Sequence, residues 1–130
     1  MKKQNPPIRI KRVYDPPEVS DGTHVLVDRL WPRGVRKENA GLICWLKEIA
    51  PSPGLREWFG HDPKRYGEFA RRYEAELAGN KNEVGRLEDL VKQGPVTLLY
   101  AAHDEAHNHA LVLADYLRNQ MERGHEKPPL

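Results

Sequence analysis

Two kinds of apolar pattern run through the chain. From Ile8 to Val13, "IRIKRV", apolar and basic residues alternate, the period of a half-buried strand toward a sheet edge. Val25, Leu26 and Val27 form a continuous apolar run instead, as does "VTLLYAA" from Val96 to Ala102, and such runs mark strands covered on both faces. These runs predict strands over 24–30 and 96–101. Helical spacing fills the interval: Leu42, Trp45, Leu46 and Ile49 fall at i, i+3, i+4 and i+7 before Pro51. Ser52 and Pro53 start a short helix with Leu55, Trp58 and Phe59 that Gly60 ends, and Asp62 with Pro63 starts the next. That helix carries Tyr66, Phe69, Ala70, Tyr73 and Leu77 on one face as far as Gly79 and Asn80. Val84, Leu87, Leu90 and Val91 give a further helix closed by Gly94 and Pro95. Ala106 to Met121 gives a long last one. Buried strands separated by amphipathic helices imply an α/β domain, a small and mainly parallel sheet flanked by helices on both faces. The loop "YDPPEVSDG" is shorter than a parallel crossover, so the first two strands are antiparallel or are not neighbours.

At 130 residues the chain is expected to be a single domain, with a folded core over 8–121 and loose ends at 1–6 and 124–130. A charged fraction of 31%, a hydrophobic fraction of 38% and a mean hydropathy of -0.78 describe a globular chain with a solvated surface. No apolar run approaches the length of about 20 residues that crosses a membrane, and "MKKQNPPIRI" has no signal-peptide core, so no membrane partner is expected. Cys44 is the only cysteine, which excludes an internal disulfide and fits a cytoplasmic setting. The net charge of +2 is low for a dedicated nucleic-acid binder, so basic function should be local.

Ligands of open α/β sheets bind outside the carboxyl ends of the strands. After Val27 the chain offers Asp28, Arg29, Trp31 and Arg33 in a bend shaped by Pro32 and Gly34. After Ala102 it offers His103 and Asp104, and then Asn108. An arginine pair facing a helix start is suited to phosphate or carboxylate. Asp28 and His103 are the candidate proton-handling groups, and Arg29, Arg33, Asp104, Asn108 and Trp31 the candidate ligand-binding ones. A plainer reading stands beside this one, in which Asp28 and Arg29 form a strand-ending ion pair and Arg33 is a solvated loop residue. Asp28 should face away from Arg29 along a regular strand, which makes Asp104 or a bound anion the expected partner of Arg29, within contact of His103, Asp104 or Asn108.

The stretches "VLVDRLWPRGV", "WLKEIAPS", "LREWFGHDPKRYGEFARRYEAEL" and "TLLYAAHDEAHNHALVLADYL" resemble the YeaO-like family of small bacterial proteins, a domain of unknown function, over most of residues 8–118. The resemblance implies no assigned reaction. The wider group it is similar to carries an arginine three residues before a proline after its second strand, as Arg29 and Pro32 stand here, and a cysteine-containing stretch after its last strand. Here Tyr100 and Asn108 stand roughly at those cysteine positions, so thiol chemistry does not carry over.

Cys44 has no histidine within a helical turn to activate it and reads as a small hydrophobe. No Gly-rich phosphate loop, serine elbow or CxxC pair is present, and no cofactor is indicated. In "HDEAHNH", His103 and His107 could share a helix face as metal ligands if the helix begins at Asp104, with His109 pointing away. The alternative is a polar first turn capped by Asp104. His61 and Asp62 form a second candidate, though Asp62 is already explained as a cap. Trp31 either plugs the core or walls the pocket. Three functions remain open at this level: a small-molecule anion binder with or without turnover, an interaction module for an acidic partner such as nucleic acid, and a metal-binding protein.

Overall fold

The computed structural model describes residues 8–36 and 43–125. Four parallel strands, β1 (Ile8–Arg12), β2 (Thr23–Leu26), β3 (Ile43–Trp45) and β4 (Val96–Tyr100), form one sheet in the order β1-β4-β2-β3. Four α-helices lie among the described residues: α1 (Pro53–Phe59), α2 (Tyr66–Ala78), α3 (Lys81–Gln93) and α4 (His109–His125). The small parallel α/β fold is the one the apolar patterns predict, and no described helix is long and apolar enough to cross a membrane.

β1 and β2 are parallel but not neighbours, because β4 lies between them. The short proline-bearing loop therefore has only to step over one strand. It ends in a 3-10 turn, Val19–Asp21, and at Gly22, whose φ of 69° is left-handed and where a Cβ would overlap the Pro95 carbonyl. That close approach lets Thr23 N donate to Pro95 O at 3.0 Å and start the β2–β4 ladder.

The pleat separates two unlike faces. Ile8, Val25, Val27, Val96, Leu98 and Tyr100 pack in one cluster with the buried residues of all four helices, including Phe59, Tyr73, Leu87, Leu113 and Leu117. Each fully buried Leu or Val there contributes on the order of 2 kcal/mol. Leu26 and Leu99, on the opposite side of the pleat, are buried but outside that cluster. The helices thus stack on one face rather than on both, and the back of the sheet carries Lys11, His24 and Thr97 under the irregular segment that leads into β2.

The expected helix through Leu42, Trp45, Leu46 and Ile49 is replaced by the edge strand β3 and a 3-10 turn, Lys47–Ile49. Leu42 lies outside the described residues. His24, Val25 and Leu26 pair with Ile43, Cys44 and Trp45, and such pairing overrides a spacing that so short an apolar run satisfies for either structure. Helices α1 to α3 match their start and stop signals. Ser52 caps α1 by accepting from Leu55 N, and Asp62 accepts from Lys64 N in a 3-10 turn, Pro63–Arg65, that leads into α2. α4 begins at His109, later than expected, and runs to His125, into the end expected to be loose over 124–130; residues 1–6 and 126–130 lie outside the described residues.

Candidate functional site

β2 and β4 end side by side, and the segments that follow them enclose a cavity of about 540 Å³. Val27 N still donates to Leu99 O at 3.1 Å, and the Asp28 carboxylate then accepts from Ala101 N at 3.0 Å, so the side chain extends the ladder where the backbones part. His109, in the first turn of α4, places Nε2 3.0 Å from Val27 O and 3.1 Å from Asp28 Oδ1. Both neighbours are acceptors, so Nε2 carries the proton. That one N–H is shared, and Oδ1 is left without a hydrogen bond of good geometry among the described residues.

Arg29 does not meet His103, Asp104 or Asn108 as expected. It donates from Nη2 to Ala50 O at 3.2 Å, reaches Pro51 O at 3.4 Å and contacts Glu48 Oε1 at 3.4 Å. Its reach is spent bracing the β3–α1 connection, whose chain was expected to be helical and so offered no visible partner. Ser52 locks the same connection by donating from Oγ to Glu76 at 2.6 Å. Arg29 still lines the cavity, together with Asp28, Arg33, His103, His107 and Asn108.

The bend after Arg29 closes with Val35 N donating to Pro32 O at 3.4 Å and with Gly34 at a φ of 80°. Trp31 neither plugs the helix-side core nor walls the cavity. It packs edge-on against Trp45, ring centres 5.3 Å apart, and donates to Val35 O at 2.8 Å. The bend therefore holds Arg33 at the rim, where Tyr14 donates to the Arg33 carbonyl at 3.0 Å.

At the β4 end, Asp104 is a turn-former rather than the first residue of a helix. It accepts from Ala106 N at 2.9 Å and His107 N at 3.0 Å, and these bonds hold its carboxyl below the usual range. Its other oxygen meets His107 Nδ1 at 3.0 Å, and it does not line the cavity. Asn108 is the true cap of α4: buried, it accepts from Leu111 N at 3.1 Å and donates to Asp104 O at 3.0 Å. Tyr66, its hydroxyl donating to Asn108 O at 2.8 Å, has its pKa pushed up to about 12 by burial. His103 stands 3.5 Å from Arg12 Nη2, a guanidinium that also donates to Ala102 O at 3.0 Å.

The shift of α4 from Asp104 to His109 decides which histidine matters. Counted on a helix from Asp104, His109 faces away, whereas in the folded chain it reaches Val27 and Asp28. The signal was in the sequence as "NHALVL", an asparagine cap directly before an apolar run. Arg56 and His61 also line the cavity. In the sequence His61 stands beside the helix cap Asp62 and nothing local marks Arg56, because their approach depends on how α1 docks. Among the described residues, no group of three or more His, Cys, Asp or Glu could hold a metal ion, His103 and His107 included. Cys44 is half-buried against the core, away from the cavity.

The family described as the inactive DUF488-N3 subclade matches residues 7–129. A protein of Escherichia coli K12 described as uncharacterized protein YeaO is 53% identical over 112 residues, 86% of this chain and 97% of the relative. The chain belongs to this YeaO-like family. Uncharacterized proteins Mb3100c of Mycobacterium bovis and Rv3073c of Mycobacterium tuberculosis H37Rv are each 42% identical over 113 residues, 87% of this chain and 95% of theirs. No solved structure matches the chain.

Proposed function

We propose that this member of the YeaO-like family binds a small phosphorylated or carboxylated molecule in the cavity at the carboxyl ends of β2 and β4. The observation that carries the reading is the charge of the lining. Arg33 and Arg56 line the cavity with no carboxylate partner among the described residues, His61 and His103 line it as well, and Asp28 is the sole acidic lining residue. Guanidiniums left unpaired at a concave site favour an anion that completes them. A volume of about 540 Å³ suits a small molecule. A nucleic acid would call for a broader basic face. The description of the family as inactive supports binding without turnover. The lone Cys44 supports a reducing, cytoplasmic setting.

Thermal melts in phosphate and in chloride at matched ionic strength test the reading. Phosphate should raise the midpoint by several degrees, with about 2.7 kcal/mol of stabilisation at a hundredfold excess over Kd. Replacing both Arg33 and Arg56 by Met should remove the site-specific part and leave only the general salting effect of phosphate. Arg36→Met, on the exposed part of the bend, should keep it. Equal midpoints in the two salts for the unmutated protein would refute the proposal.

A further inference from the structure

Resting on that reading, we propose that the ligand is dipolar: an anionic group at one end, met by Arg33, Arg56 and His61, and a hydrogen-bond donor at the other, met by Asp28. The donor is a hydroxyl or an ammonium group.

The carboxylate sets the first constraint. Asp28 is 17% exposed at its side chain and lines the cavity, so an anion placed beside it would be repelled in a poorly solvated setting. The anionic end must therefore sit with the unpaired cations. A carboxylate accepts up to about four hydrogen bonds. Among the described residues Asp28 accepts one of good geometry, from Ala101 N, while His109 divides its single N–H with Val27 O. Acceptor capacity is left over, and a half-buried carboxylate so sparsely answered favours any donor that can reach it.

Asp21 is the control within the same molecule. It too has an oxygen without a hydrogen bond, but Lys11 and His24 both contact its other oxygen at 3.0 Å, and it does not line the cavity. Its charge is answered by a fixed cation from the chain itself. Asp28 has no lysine or arginine contact of that kind among the described residues. The lining also includes the apolar side chains of Phe59, Phe69, Pro51 and Ala101, which suits an uncharged body joining two polar ends.

A matched series separates this inference from the reading beneath it: hexyl phosphate, 6-hydroxyhexyl phosphate and 6-aminohexyl phosphate, titrated calorimetrically at neutral pH. The chains have equal length, so their ordering costs are similar. The amino compound should bind at least tenfold tighter than hexyl phosphate, with the hydroxy compound between them. In a merely greasy cavity the order would be the reverse, because a methyl end would be preferred to a charged one. Asp28→Asn should abolish the advantage of the ammonium group without weakening hexyl phosphate. The Ala101 amide resonance of the unmutated protein gives a second readout, since Ala101 N donates to Asp28: it should move with the amino compound and much less with hexyl phosphate. Hexyl phosphate binding as tightly as the other two would overturn the dipolar ligand and leave the anion site standing. No binding by any of the three would overturn both.

Discussion

Asp21 leads into β2 and Asp28 leaves it, and the two ends of this one strand are built to opposite purposes. Asp21 is 1% exposed and its Oδ2 collects Lys11 Nζ at 3.0 Å, Glu18 N at 2.9 Å and His24 Nε2 at 3.0 Å, while its backbone carbonyl accepts from Thr97 at 2.8 Å. Asp28 receives one backbone amide and a share of one imidazole N–H, and it borders the cavity. A carboxylate closed off by a permanent cation acts as a brace. One answered only by a backbone amide and a shared N–H, beside a cavity, keeps acceptor capacity for a ligand.

The sharpest way to break the comparison is to neutralise each carboxylate in turn. Asp21→Asn removes the charge that Lys11 and His24 contact and should cost roughly 3 kcal/mol, the low end for a broken buried pair because Lys11 keeps the Pro16 carbonyl, Glu18 and some contact with water. Asp28→Asn should cost about 1 kcal/mol, because an amide oxygen can still accept from Ala101 N. Urea unfolding of both variants measures this, and equal costs would show that the two ends are not different in kind.

A smaller effect appears on acidification. The Asp21 carboxyl is held far below its ordinary value of 3.8, first by the His24 hydrogen bond, then by the Glu18 amide and by Lys11. A carboxyl lowered in the folded state stabilises fully above its unfolded value, and that contribution drains as pH falls toward the folded one. Between about pH 5 and pH 3 the unmutated protein should lose stability more steeply than Asp21→Asn. Parallel curves for the two would contradict the brace.

Local signals in the sequence mark some elements, and long-range pairing decides the others. Continuous apolar runs announced β2 and β4, and caps such as Ser52 and Asp62 announced the helices after them, because those signals are local. β3 was hidden since a three-residue strand holds no period of its own and owes its shape to pairing with β2. The strand exits were legible as a polar site through Asp28, Arg33 and His103, which the fold brings around one cavity. The bracing of Arg29 by the Ala50 and Pro51 carbonyls was not, because backbone acceptors leave no mark in a sequence. His109 was missed through a start of α4 placed five residues early, enough to turn its side chain from the cavity to the opposite side.

A titration of the 15N-labelled protein with phosphate, followed by amide shifts, distinguishes the trailing end of β2, proposed as a binding site, from its leading end. Saturable shifts should gather at Arg33, Arg56 and His61 in the cavity lining, with His24 and Asp21 still. Shifts spread evenly over the surface, or centred on Asp21 and His24, would contradict the account.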